Sequence, residues 1–518
     1  MTLTARMPHI VLIVLDTTGA RHLSLYGYPR PTSPHLERLA QDCRVYTRCY
    51  APGCWTVPSH ASVLTGLYPS QHGACEGSFL LEDNLHHLTA VLKMAGYRTL
   101  GISSNGLVSP ATGLCGSFDE FTDFGRHDLD RFFHNLTGGP RENGGELGAR
   151  LKQAVSLREA MALTFTYLQE GGGVGPLCRT ARQLARRLLR DFWHPSPVAK
   201  SAGYTEKTVA WVRRMLPRLA RESGQPYFLF INLMEAHQTY RPPLRQRRFS
   251  RWRDRAWVDP QRFYRRPKTP ETARMVETYR NLYDDEILYQ DEVLGRLWEA
   301  LRHSPAFENT VVIITSDHGE HLGEKGHYTH ILSLYNELIW VPLIIRYPRD
   351  VAPPGTDGRL ASLTDIYATV LDLVGSPLPH PATSHSLLGA PSRESALAQL
   401  LYPEMWLTQW QYRARQAALA RETYSPSRFA LFLDQGLKIL ERWDGELEIY
   451  DLHKDPEEQN DLRPGLAPEV LAEFRALVAL HQEESGFWTR RREILQHRGL
   501  PAPEMPLEAQ PCAVYSAA

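Results

Sequence analysis

From residue 9 to about residue 375, apolar runs alternate with stretches of helical spacing. His9–Leu15, Tyr227–Leu233 and Thr310–Thr315 are almost continuously apolar, the pattern of strands covered on both faces. Arg98–Ser103 and residues 341–346 predict two more strands, and Arg44–Tyr50 an extended segment. Between them, a 3.6-residue period predicts helices over 35–41, 59–67, 85–95, 204–220, 276–302 and 362–374, the last ending at Gly375. Strand and helix in alternation predict an α/β fold with a central, mostly parallel sheet flanked by helices.

After about residue 385 the period changes. Residues 429–433, 437–441 and 447–450 alternate like strands of a small antiparallel sheet, and Pro468–Glu484 is helical. The predicted organisation is a catalytic domain over 1–385, a C-terminal α+β subdomain over 386–496 and a Pro- and Ala-rich flexible tail over 497–518. Residues 125–201 interrupt the alternation as a helical insertion with glycine joints. In its second helical stretch Arg179, Arg182, Arg186, Arg187 and Arg190 share one side and Leu184, Leu188 and Leu189 the other. Such a helix can meet acidic lipid or a polyanion, or can be a packed helix with a solvated face.

Composition narrows the class. Lys+Arg and Asp+Glu both total 58, so bulk charge favours neither nucleic acid nor an anionic surface. No apolar run reaches the ~18–20 residues that span a bilayer. Residues 1–9 lack the plan of a secretory signal, so the expected location is cytoplasmic. Seven cysteines are expected to be free thiols, and the spacing of Cys43, Cys49 and Cys54 matches no zinc knuckle.

Polar groups follow three predicted parallel strands: Asp16 after the first, His237 after Tyr227–Leu233, and Asp317-His318 after Thr310–Thr315. Open α/β sheets hold ligands at these ends. Two carboxylates and imidazoles at equivalent tips point to a metal site, although Asp16 and Asp317 could equally cap the turns that follow. Thr56 precedes Pro58 and a helical run, so its hydroxyl belongs at a helix N-terminus, where an anion is favoured. Beside a divalent cation that hydroxyl could act as a nucleophile; without one it is an ordinary N-cap.

These blocks resemble the sulfatase family of the alkaline phosphatase superfamily. Asp16 with His22-Leu-Ser-Leu-Tyr-Gly-Tyr is similar to the family's first metal block, and residues 56–69 to its nucleophile signature. Residues 228–243, ending Glu-Ala-His-Gln-Thr-Tyr-Arg-Pro-Pro, resemble the block with an active-site histidine. Residues 316–343 resemble the second metal block, and Tyr450-Asp-Leu-His-Lys-Asp-Pro the C-terminal strand and turn. The resemblance implies the alkaline-phosphatase/sulfatase-like sandwich and a metal-dependent enzyme acting on an ester.

The departures shape the expected chemistry. Where the family has a Cys or Ser that becomes formylglycine, this chain has Thr56. His60 replaces the signature arginine, and Thr17 the second aspartate of the first metal block. Phosphoethanolamine transferases of the superfamily carry a threonine here, and their ligand set matches Asp16, Thr56, Asp317 and His318, with His237 and His330 matching two further histidines. Those enzymes also carry a membrane domain. Phosphonate monoester hydrolases are soluble relatives that usually have formylglycine.

A sulfated threonine has no route out, whereas a phosphorylated one can be attacked again at phosphorus. The expectation is therefore a hydrolase or transferase of phosphodiester- or phosphonate-type esters. Thr56 would be its nucleophile, His237 or His330 would protonate the leaving group, and His60 and Asn105 would contact substrate. Fewer carboxylates and more imidazoles favour zinc or manganese over calcium, with room for a second ion. The alternatives are a sulfatase working without formylglycine and an inactive binding module. The expected partner is a small-molecule or lipid-headgroup ester, with no nucleic acid; a homo-oligomer is compatible with this reading.

Overall fold

The computed structural model describes residues 7–76, 78–81, 87–125, 202–221, 224–238, 240–252, 254, 270–389, 392–403 and 426–497. The helical insertion and arginine-faced helix expected over 125–201 lie outside these residues, apart from Gly125, as do Cys178, Cys512 and the tail.

The strands are β1 (His9–Leu15), β2 (Arg44–Tyr50), β3 (Arg98–Ser103), β4 (Glu120–Asp123), β5 (Tyr227–Leu233), β6 (Thr310–Thr315), β7 (His321–Leu322), β8 (Tyr328–Thr329), β9 (Leu343–Arg346), β10 (Gly355–Ser362), β11 (Ser395–Gln399), β12 (Ser427–Leu433), β13 (Leu437–Arg442) and β14 (Leu447–Asp451). Eight of them form the main sheet, in the order β10-β2-β9-β6-β1-β5-β3-β4. β1 pairs in parallel with β5 and β6, β3 with β5 and β4, and β10 with β2. Only β9 runs against its neighbours, β2 and β6.

The described helices are α1 (Pro34–Leu39), α2 (Thr56–Thr65), α3 (Pro69–His72), α4 (Leu88–Met94), α5 (Ala202–Arg221), α6 (Pro270–Arg302), α7 (Asn336–Ile339), α8 (Asp365–Leu373), α9 (Pro468–Glu484) and α10 (Phe487–His497). Alternation along the central strands sorts them onto two faces. Ile10, Leu12 and Val14 of β1 pack in one cluster with Val57 and Ala61 of α2, Leu92 of α4 and Ile366 of α8. Val11, Ile13 and Leu15 pack in the other with Leu36 of α1, Val212 of α5 and Leu294 of α6. Both faces of β1, β5 and β6 are covered, which is why these strands read as unbroken apolar runs.

A second, antiparallel sheet, β11-β12-β13-β14, follows in the chain. Its core is continuous with that of the first sheet: Tyr50 stacks on Phe432 at 3.8 Å between ring centroids. The buried Lys438 of β13 donates to the Leu334 carbonyl (2.8 Å) and to Asn336 Oδ1 (3.2 Å), and pairs with Glu458. That pair ties the second sheet to α7. α7 in turn lies against the tips of β1 and β6, where Gly319 N donates to the Leu338 carbonyl. A Cβ on Gly319 would sit 2.2 Å from the Glu337 carbonyl oxygen, so only glycine permits this approach.

The expected strands and helices are present with shifted ends. α2 begins at Thr56 rather than residue 59, because proline is tolerated in a first helical turn and Pro58 falls there. β4, β7, β8, β10 and β11 were not expected; they are short, or in β10 broken by glycine and charged residues. Cys43, Cys49, Cys54, Cys75 and Cys115 are free and buried, as anticipated. No described helix is long and apolar enough to cross a membrane.

Candidate active site and metal centre

The parallel order places the ends of β6, β1, β5 and β3 side by side, and each end delivers a polar side chain to one point. Asp16 follows β1, and Asn105 follows β3. Asn232 ends on β5 with His237 just beyond, and Asp317 and His318 follow β6. Thr56 opens α2, and His60 follows one turn later. This is the ligand edge of an open α/β sheet.

Asp16, Asp317 and His318 are buried, and one ligand atom from each lies within 4.8 Å of the others. Asp317 Oδ1 accepts the backbone N–H of Thr17 (3.1 Å) and of His318 (2.9 Å). Asp317 Oδ2 and His318 Nε2 have no hydrogen-bond partner; they approach to 3.4 Å without the alignment of a bond. His318 Nδ1 lies 2.9 Å from the Gly319 carbonyl, which fixes the tautomer with Nε2 free to bind a ligand. Two buried polar atoms aimed at one space, beside a second carboxylate, are what a cation would satisfy.

The electrostatics agree. Burial raises the Asp16 carboxyl, but His237, His318, His60 and the Asn105 amide outweigh it and bring it down to about 2. Burial and then the Asp16 charge push Asp317 up to about 7. Burial and the nearby His330 push His318 down to about 4, so its imidazole is neutral near pH 7. Two carboxylates that oppose one another's ionisation and a neutral imidazole fit a divalent cation, which would let both carboxylates ionise. Nothing in this donor set singles out zinc or manganese over calcium or magnesium, so the preference drawn from composition finds no support in the geometry.

Thr56 Oγ1 stands 3.3 Å from Asn105 Nδ2, which also donates to Asp16 Oδ2 at 2.7 Å. The threonine hydroxyl and the first carboxylate therefore share one amide. His60 Nδ1 donates to the Thr56 carbonyl (2.9 Å), and its Nε2 faces Asn232 Nδ2 (3.4 Å). Its ring thus meets protein groups at both nitrogens, and Nδ1 also lies 3.4 Å from Asp317 Oδ2.

His237 and His330 sit across the site with ring centroids 4.9 Å apart, and His330 lies 4.6 Å from His318. His330 Nδ1 meets Glu320 Oε1 at 3.1 Å. Burial works against its charged form, but Glu320, with help from Asp16 and Asp317, holds its pKa above the usual histidine value. Glu320 is itself held by the Tyr240 hydroxyl at 2.8 Å and by Gln238.

All eight residues singled out from the sequence meet here. Three others were not among them. Glu320 follows Asp317-His318-Gly319 directly in the chain, so its place beside the candidate ligands was open to reading. Asn232 closes β5 and touches both Asp16 and His60. Thr17 adopts φ 63°, a left-handed conformation unusual for a β-branched residue; Tyr283 donates to its carbonyl, and its own hydroxyl donates to Asp16. Thr329 (φ 69°) and Leu332 (φ 64°) flank His330 in the same way. Backbone strain gathers around the two sides of the site, as it does where function over-determines geometry.

Comparison with known proteins agrees with this architecture. The Sulfatase family model matches residues 8–376, and the model described as N-sulphoglucosamine sulphohydrolase, C-terminal, matches 323–468. N-acetylglucosamine-6-O-sulfatase of Bacteroides thetaiotaomicron is 22% identical, over 88% of this chain and 83% of that protein. Arylsulfatase A of Homo sapiens is 25% identical, over 92% and 88%. A solved structure in complex with its substrate D-glucosamine-2-N,6-O-disulfate superposes with a TM-score of 0.59 at 18% identity, covering 94% of this chain and 99% of the other. The phosphonate monoester hydrolase of Agrobacterium radiobacter gives 0.56 at 18% identity, covering 94% and 96%. The match to the family model across most of the chain, on this fold, establishes that the protein belongs to the Sulfatase family of the alkaline phosphatase superfamily.

Proposed function

We propose that the protein is a metal-dependent hydrolase of sulfate esters of small organic alcohols, working without formylglycine. The convergence of Asp16, Asp317 and His318, with Asp317 Oδ2 and His318 Nε2 unpartnered, carries this reading. The relatives by sequence include sulfatases, which supports sulfur over the phosphorus ester that Thr56 suggested. A divalent ion on these three residues would supply positive charge to the nonbridging oxygens of the ester. Thr56 Oγ1 and Asn105 Nδ2 border the same space and orient the ester. Water attacks sulfur and the S–O bond to the alcohol breaks. His330 gives its proton to the alcohol oxygen and is reprotonated as the attacking water loses one, leaving sulfate and the free alcohol.

A second reading keeps phosphorus. It is favoured by Thr56, a hydroxyl beside the candidate metal centre, and by the fold shared with phosphonate monoester hydrolases. Thr56→Ala separates the two. For water attack on sulfate, the alanine form loses one orienting contact and turns over about tenfold more slowly, or roughly 1.4 kcal/mol. Thr56→Ser should stay near the parent. For a covalent phosphothreonine route, alanine abolishes turnover. The check is kcat/KM of parent, Ala and Ser forms on an aryl sulfate and an aryl phosphonate monoester. Higher activity on the phosphonate, lost entirely in the alanine form, would overturn the sulfate reading.

A further inference from the structure

The chain leaves the site after His237 along residues 240–252, and this segment carries charge and apolar surface that hydrolysis does not use. Arg245, Arg248 and Arg251 are exposed at a three-residue interval. Among the described residues none of their guanidinium groups lies within salt-bridge distance of a carboxylate. Leu244 beside them is 67% exposed and Trp252 is 64% exposed, among the most exposed large apolar side chains of the described residues.

The segment is held in place from below. Three consecutive buried acids of α6 grip it. Asp285 accepts the backbone N–H groups of Arg248 (2.7 Å), Phe249 (2.9 Å) and Ser250 (2.9 Å). Glu286 accepts that of Arg241. Asp284 binds Arg30 at 2.7 Å, and the Arg30 guanidinium lies 5.4 Å from the centre of the Phe249 ring. With the backbone N–H groups of Arg241, Arg248, Phe249 and Ser250 turned toward α6, the loop leaves Arg245, Arg248, Arg251, Leu244 and Trp252 exposed.

We propose that this loop docks the protein on an anionic lipid surface. Arginines supply attraction to acidic headgroups, and a leucine and a tryptophan at their flanks enter the interface, where tryptophan is favoured. The charge complements an acidic bilayer, and the apolar pair distinguishes that surface from a purely ionic polymer. The inference is independent of which ester is cleaved.

The test is co-sedimentation of the full chain with vesicles of phosphatidylcholine alone and of phosphatidylcholine with phosphatidylserine. Binding is expected only to the phosphatidylserine vesicles and is expected to weaken as salt is raised. The triple change Arg245→Gln, Arg248→Gln, Arg251→Gln should reduce the vesicle partition coefficient roughly 100-fold, at about fivefold per arginine. Trp252→Ser should reduce it several-fold while ester turnover in solution stays at the parental rate. Equal binding to both vesicle types, no binding to either, or a triple variant that binds like the parent would overturn the proposal. So would binding to dextran sulfate without binding to vesicles, which would mark the loop as a polyanion site instead.

Discussion

Asp317→Asn should lower turnover at least about 1000-fold, or roughly 4 kcal/mol of transition-state stabilisation, and leave the fold standing. Asparagine can keep what holds the side chain in place. Its Oδ1 still accepts from Thr17 N and His318 N, as the aspartate oxygen does at 3.1 and 2.9 Å. What changes is the other atom. The unpartnered Oδ2 becomes an amide that offers hydrogens where the candidate ligand position needs a lone pair and a negative charge. The metal-free protein should melt at or above the parental temperature, because burial and Asp16 both oppose the Asp317 charge that the change removes. Turnover at a divalent-ion concentration that saturates the parent and melting in chelator check the two halves separately. A variant that has lost activity because it no longer folds would not support the assignment, whereas one that folds and retains turnover would refute it.

His330→Ala should slow hydrolysis of an alkyl sulfate by about 10²–10⁴-fold, the range for a positioned general acid. The argument rests on place and charge together. The ring is within reach of His318 and His237 on the open side of the site, and Glu320 at 3.1 Å from Nδ1 stabilises the protonated form. An alkoxide is a poor leaving group and needs that proton, while a nitrophenolate leaves without it. The defect should therefore shrink toward the parental rate as the leaving group becomes more acidic. Rates across a series of alkyl and aryl sulfates provide the check. An equal loss across the series would make His330 a substrate-binding residue, not an acid.

Much of this arrangement was legible in the chain because strands buried on both faces announce themselves. Val11 and Leu12 point to opposite clusters, yet both are apolar, so β1 and the position of Asp16 after it could be read without coordinates. The same holds for Asp317 after β6 and His237 after β5. What could not be read is what only strand order reveals. Asn105 joins Asp16 to Thr56 because β3 neighbours β5, and β5 neighbours β1; no spacing in the sequence encodes that adjacency. His60 stands where the sulfatase signature has arginine and was expected to face the anion; its nitrogens meet the Thr56 carbonyl and Asn232, and Nδ1 also lies 3.4 Å from Asp317 Oδ2. The expectation of a phosphorus ester came from one residue, Thr56. The family match and the sulfatases among the relatives weigh the other way. The tie between Lys438 and α7 was invisible for a simpler reason: a lysine in an alternating strand reads as solvated until a buried acid is found across from it.

The central claim is that these residues hold a divalent ion on which ester hydrolysis depends. It is tested most directly by stripping the protein with chelator, measuring aryl sulfate turnover, and titrating divalent ions back while following bound metal per chain. The account predicts no turnover in the stripped protein and recovery in proportion to one ion bound per chain, with Asp317→Asn neither binding nor recovering. Full turnover by stripped protein shown to be metal-free would contradict it.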